Sequence, residues 1–280
     1  MSKAPSTAKE LFAELAGPGP HEVLRGDLAA AGVQGTVFTP RSGLGLPAVV
    51  FGHGWLQPPI RYRNLLRHLA SWGVVVACPA TQAGPLPSYQ RYADDLRTAL
   101  DVCAGVRLGG GEISVDPARL GLAGHSTGGG SAVLAAAAES SAAGRVRAVA
   151  TLAVAEVRPS AAAAAAECAM PGLHLAAGRD LIAPPVAHAE EIAANWRGPV
   201  TVRGLAKATH LGFTQGRHWS ELLLDGKPEP ASRRAAQALL TAFFRFHLAG
   251  DGRVRPLLDN DVKACPITYR REPRRPARAA

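Results

Sequence analysis

The chain has 280 residues, with 31 Lys+Arg against 22 Asp+Glu and a formal net charge of +9. A composition of 47% hydrophobic and 19% charged residues supports a packed core and excludes a disordered polypeptide. The basic balance raises nucleic-acid binding as a class, but the excess is uneven. The last eleven residues carry Arg270, Arg271, Arg274, Arg275 and Arg278 against one acid, Glu272. No helix-turn-helix, RNP or zinc-finger pattern accompanies this charge, and aromatics for base stacking are few, so no specific nucleic-acid partner is expected. The four cysteines, Cys78, Cys103, Cys168 and Cys265, show no CxxC or Cys/His spacing, so a structural zinc site is not expected. The stretch MSKAPSTAKELFAELAGPGP has no apolar signal core, and no run of about 18 apolar residues occurs. The expectation is a cytoplasmic protein with no membrane span.

Along the chain, short β-branched runs alternate with helical patterns. Residues 35–40 (GTVFTP) and 47–51 (PAVVF) read as strands, close enough together to run antiparallel. Residues 64–72 read as a helix with Leu65, Leu66 and Leu69 on one face, closed by Gly73. Residues 74–78 (VVVAC) read as a buried parallel strand. A long helix is predicted over 89–106, then a strand over 119–123 and a helix of small residues over 130–139. Strands over 146–154, 173–177 and 200–205 follow, with a helix over 184–196 between the last two. A final helix covers 231–248 and presents Ala235, Leu239, Phe243 and Phe246 to the sheet. The alanine run 161–166 reads as a surface helix. The alternation predicts an α/β fold with a mostly parallel central sheet and helices on both faces. The organisation predicted is an N-terminal segment over 1–19, one catalytic domain over 20–250 and a basic tail over 251–280, on the surface or partly disordered.

The sharpest signal is Gly124-His125-Ser126-Thr127-Gly128, which joins an apolar strand to a small-residue helix. That is the context a G-x-S-x-G elbow requires. Gly124 and Gly128 relieve crowding at the tight turn, and the helix N-terminus supplies partial positive charge. Serine needs a base, and in chain order Ser, acid, His the candidates are Asp180 in GRDLIAPP and His210 in KATHLGF. Both follow strand ends, where ligands bind in open α/β sheets. Ser126 is read as nucleophile, His210 as general base then acid, and Asp180 as the carboxylate that orients the imidazole. Glu156 rivals Asp180, and His218, His188 and His174 rival His210. The oxyanion hole needs two backbone donors. One is assigned to Thr127 and the other to Trp55 in the Gly52-His53-Gly54-Trp55 turn, with His53 as runner-up.

With AVVFGHGW, NLLRHLASWGVVVACPA, DPARLGLAGHSTGGG, GRDLIAPPVAHAEE and THLGF in view, the chain resembles the α/β-hydrolase superfamily over about residues 20–250. Within it, the chain is similar to cutinase-like polyester hydrolases and to chlorophyllase and dienelactone-hydrolase-type esterases. The resemblance implies a Ser-His-Asp serine esterase that forms an acyl-enzyme, takes a small-molecule ester and needs no cofactor or metal. Three departures stand out: Thr127 replaces the usual Met, LAVAEVRPS lacks the usual Trp, and neither a leader nor a C-terminal cysteine pair is visible. They favour a small-ester hydrolase over a polymer hydrolase. The short segment between 154 and 173 implies no large cap domain and an open site for short to medium acyl chains. Acyl transfer, thioester cleavage and perhydrolysis use the same triad, and a non-catalytic binding protein of the same fold is the alternative class.

Overall fold

The computed structural model describes residues 7–142 and 144–272. Among these residues, nine strands form one sheet: β1 (Val23–Asp27), β2 (Gly35–Pro40), β3 (Gly43–Gly52), β4 (Val75–Pro79), β5 (Ile113–His125), β6 (Val146–Leu152), β7 (Gly172–Ala177), β8 (Val200–Leu205) and β9 (Ile267–Arg271). Their order is β1-β2-β4-β3-β5-β6-β7-β8-β9. The six strands from β4 to β8 run parallel. β1 and β2 at one edge and β9 at the other are antiparallel. The two early strands predicted as antiparallel do run in opposite directions, yet they do not pair, because β4 lies between them.

Among the described residues, eight α-helices cover the sheet: α1 (Ala8–Leu15), α2 (Arg63–Ser71), α3 (Tyr89–Gly105), α4 (Thr127–Ala142), α5 (Ala161–Ala165), α6 (Ala189–Asn195), α7 (Pro230–Ala249) and α8 (Arg255–Asp259). Period-2 geometry sends successive residues of a strand to opposite faces. In β3, Ala48 and Val50 enter the core beneath α3 to α6, while Val49 and Phe51 enter the core beneath α1, α2, α7 and α8. Val75 and Ala77 part from Val76 and Cys78 in the same way. Each such buried Val contributes about 1.5–3 kcal/mol of transfer free energy, and burial on both faces explains strands that read as unbroken apolar runs.

At the periphery two expectations gain detail and two are corrected. In the N-terminal segment, α1 opens on a Thr7/Glu10 capping box and buries Leu11 and Leu15. Trp72 Nε1 donates to the Gly17 carbonyl at 3.0 Å and ties the segment to α2. The predicted tail from 251 is structured through 272. Its α8 buries Leu257 and its β9 pairs with β8. The buried Arg203 guanidinium holds it, donating to the carbonyls of Leu257, Leu258, Asn260 and Cys265. Arg274, Arg275 and Arg278 of that predicted tail lie outside the described residues. The alanine helix α5 buries one face through Ala161, Ala162 and Ala165 and leaves Ala163 exposed, as a helix on the surface does. The helix predicted over 184–196 is shorter: a 3-10 turn, Pro185–Ala187, precedes α6.

Two buried histidines make the fold acid-sensitive. His174 sits in β7 with Nδ1 against Thr151 Oγ1 at 2.7 Å, and burial lowers its pKa to about 3. His68 Nε2 meets the Leu15 carbonyl at 2.9 Å, and burial lowers its pKa to about 4. Both rings are neutral in the fold and regain an ordinary pKa near 6.5 on unfolding. Their stabilisation is complete above that unfolded value and is lost as pH falls towards the folded ones, at about 1.4 kcal/mol per pH unit for each group. Urea midpoints measured from about pH 7 down to about pH 4 should fall along this slope, and His174→Gln should make the fall shallower. A midpoint that does not move over that window would contradict the assignment.

Candidate active site

The site lies at the carboxyl ends of β3, β5, β7 and β8, the edge of a parallel sheet where ligands bind. Ser126 follows β5 directly and holds φ at 55°, a left-handed backbone that costs a non-glycine residue about 1–3 kcal/mol. The surroundings fix it. Ser126 N donates to the Leu152 carbonyl at 3.0 Å, and its own carbonyl accepts from Gly129 N at 2.9 Å and Ala155 N at 3.1 Å. The two glycines of the motif are required by backbone contact. A Cβ on Gly128 would lie 2.3 Å from the His53 carbonyl oxygen, and one on Gly124 would lie 2.4 Å from the Gly128 carbonyl oxygen.

Ser126, His210 and Asp180 are brought together. His210 Nε2 lies 2.8 Å from Ser126 Oγ, and His210 Nδ1 lies 2.7 Å from Asp180 Oδ2. All three side chains are buried. The other carboxylate oxygen, Asp180 Oδ1, accepts from Ile182 N at 2.9 Å and Ala183 N at 2.7 Å. Burial works to raise the Asp180 pKa, but the bond to His210 and the two amides outweigh it, so the net shift is downward. A carboxylate beside Nδ1 requires that nitrogen to carry the proton, which leaves the Nε2 lone pair facing the serine hydroxyl.

Neighbouring groups hold this arrangement. His125 Nε2 meets the His210 carbonyl at 2.9 Å, and its Nδ1 meets Tyr62 Oη at 2.8 Å. A carbonyl only accepts, so Nε2 donates, and Tyr62 must donate to Nδ1 of a neutral ring. Burial lowers the His125 pKa to about 3 and keeps it neutral. Gly54 N donates to the same Tyr62 oxygen at 3.1 Å. Glu229 takes Thr209 N at 3.1 Å and Thr209 Oγ1 at 2.6 Å, and so pins the residue before His210. Arg61 ties the segment after the Trp55 turn to Glu221 at 2.9 Å and to Thr214 at 2.7 Å. Residue spacing alone gave no signal for Tyr62, Glu229 or Arg61, because each acts across a long loop.

The rival residues lie elsewhere. His174 is inside β7 on Thr151. His188 Nδ1 accepts from Glu156 N at 2.8 Å, and Glu156 Oε2 accepts from Ala162 N at 3.0 Å at the start of α5. His218 caps the 3-10 turn Trp219–Leu222. In the turn after β3, His53 N donates to Tyr92 Oη at 2.7 Å and points into the core. Trp55 N is the amide on the site side, donating to Thr127 Oγ1 at 3.0 Å. Thr127 N opens α4, where a helix leaves its first amides without an intrahelical acceptor. Among the described residues, no group of three or more His, Cys, Asp or Glu side chains could hold a metal ion. Nor is any helix there long and apolar enough to cross a membrane.

Such a sheet, with a strained serine at the end of a central parallel strand and an acid and a histidine at the ends of later ones, defines an α/β-hydrolase fold. Among known protein families, the chain matches one described as PET hydrolase-like over residues 4–199. That span covers most of the chain, and the protein belongs to the PET hydrolase-like family, whose membership supports ester hydrolysis as the class of activity. The matched span includes Ser126 and Asp180 and ends before His210. None of the curated proteins compared with the chain matches it.

Gly128→Ala should destabilise the fold by about 3 kcal/mol or more, because its Cβ has only backbone to displace. Thermal unfolding of the variant against wild type measures this. Equal midpoints would contradict the contact.

Proposed function

We propose that the protein is a serine ester hydrolase working through Ser126, His210 and Asp180. The observation that carries this reading is the continuous hydrogen-bond chain from Ser126 Oγ through His210 to Asp180, set at a strained turn. Ser126 Oγ attacks the ester carbonyl carbon while His210 Nε2 takes the hydroxyl proton. Negative charge gathers on the former carbonyl oxygen, facing the amides of Thr127 and Trp55. Collapse breaks the ester C–O bond, and His210 gives its proton to the departing alcohol. Water then repeats the sequence on the acyl-enzyme, releasing the acid and restoring Ser126. Asp180 stays ionised and holds the imidazole in the productive tautomer.

The substrate class follows from what surrounds the serine. Residues 153–171 carry only the five-residue α5, so no cap domain is inserted there. Exposed apolar side chains stand on three neighbouring loops. Leu181, Ile182 and Val186 follow Asp180, and Trp219, Leu222 and Leu223 follow His210. Leu86 stands beside Pro85, whose carbonyl accepts from Trp55 Nε1 at 3.1 Å. A hydrophobic ester in an open cleft fits this rim. Family membership together with the rim favours a second reading, a polyester oligomer, over a strictly small ester. All four cysteines are free thiols, a state that fits the reducing, cytoplasmic setting we propose.

Ser126→Ala should lower turnover of nitrophenyl esters by at least about a thousandfold and abolish labelling by a fluorophosphonate. Retention of either would sink the reading. A chain-length panel from acetate to palmitate, run beside an amorphous polyester film, separates the two substrate classes. Rates should rise smoothly through the solubility limit of each ester, and an abrupt jump at that limit would contradict an uncapped site.

A further inference from the structure

The two amides that face the proposed oxyanion are not equivalent in the resting protein. Thr127 N is the first amide of α4. Trp55 N, by contrast, already donates to the hydroxyl oxygen of Thr127 at 3.0 Å. An N–H can be aimed fully at one acceptor only. The turn offers no substitute, because His53 N is given to Tyr92 Oη at 2.7 Å and Gly54 N to Tyr62 Oη at 3.1 Å.

We propose that the Thr127 side chain is a built-in competitor in the oxyanion hole: its hydroxyl oxygen takes the place of the substrate oxygen on Trp55 N and must yield it during acyl transfer. The proposal rests on the serine-hydrolase reading above. A neutral ester carbonyl is no better an acceptor than the hydroxyl already in place, so the Michaelis complex leaves the Thr127–Trp55 bond standing. The tetrahedral oxyanion is different. A hydrogen bond to an ionised acceptor is roughly twice as strong as one between neutral groups, so exchange occurs as the charge develops. The energy of the broken bond is therefore subtracted from transition-state stabilisation and not from ground-state binding. Thr127 is in this sense a positioning residue that acts through the Trp55 amide, and its effect falls on kcat with KM nearly constant.

Thr127→Val keeps the branched shape and removes the acceptor. It should raise kcat for a soluble nitrophenyl ester roughly fivefold, the worth of one net neutral hydrogen bond, with KM within about twofold. Phosphorylation of Ser126 by diethyl nitrophenyl phosphate, which sends a phosphoryl oxygen to the same two amides, should accelerate in parallel. Thr127→Ser, which restores a hydroxyl, should return both rates towards wild type. Thr127→Ala removes the acceptor without branching and gives the same readout if the valine variant does not fold. An unchanged kcat, or a fall in kcat with a matching fall in the phosphorylation rate, would overturn the proposal; the latter would make the hydroxyl a donor to the oxyanion. Ser126→Ala keeps the two levels apart. Turnover that survives it removes the underlying serine-hydrolase reading, whereas Ser126-dependent turnover with no gain in Thr127→Val overturns the competitor alone.

Discussion

Three backbone segments meet at the head of the sheet with no side chain between them. The Gly128 carbonyl lies where a Cβ on Gly52 or Gly124 would have to stand, and the carbonyls of Gly52 and His53 crowd Gly128 in return. This contact sets the distance between the end of β3, the end of β5 and the first turn of α4. Trp55, Ser126 and Thr127 are each within three residues of one of those glycines, so their relative positions follow from it. Close packing of this kind has no slack: interiors are filled to crystal density and shift in discrete steps. The strain at Ser126 persists because the segments around it leave no other path for the chain.

Around that contact, polar groups are arranged so that each has one role. His125 and His210 stand with ring centroids 5.0 Å apart, and their partners separate them chemically. His125 is closed off at both nitrogens, by Tyr62 and by the His210 carbonyl, and burial keeps it neutral. His210 has one nitrogen on a carboxylate and the other on a hydroxyl. Only one of the two rings is open to proton exchange with Ser126. The long excursion between His210 and α7 closes on itself through Glu229 and on the Trp55 side through Arg61. The histidine loop is therefore braced at both ends, although it has little regular structure.

The central strands and the G-x-S-x-G turn were legible in the sequence because burial on both faces and a glycine-bounded serine leave strong local patterns. Asp180 and His210 were legible as candidates from their places after apolar strands; only the fold set them against Ser126 and set Glu156, His174, His188 and His218 apart. β1 was missed because VLRGD, an edge strand, buries little and does not alternate. α1 was missed although its Thr7-x-x-Glu10 capping signal was present, since eight residues with two buried leucines make a weak periodic pattern. The C-terminal segment was misread because its order depends on Arg203, more than fifty residues earlier, which reads as a surface charge until it is seen surrounded by carbonyl oxygens.

The arginines of β9 take on a meaning at the level of the whole sheet. An open sheet ends in strands with unused amides and carbonyls, which template pairing with other chains unless charge or irregularity discourages it. β9 is the outermost strand on its side, and its last two residues are Arg270 and Arg271. At the opposite margin β1 carries Arg25 and Asp27. In β9 the two arginines turn back onto the protein, Arg270 donating to the carbonyls of Leu258 and Asp259 and Arg271 to those of Trp196 and Ala194, so this part of the basic excess fastens the edge strand to the domain.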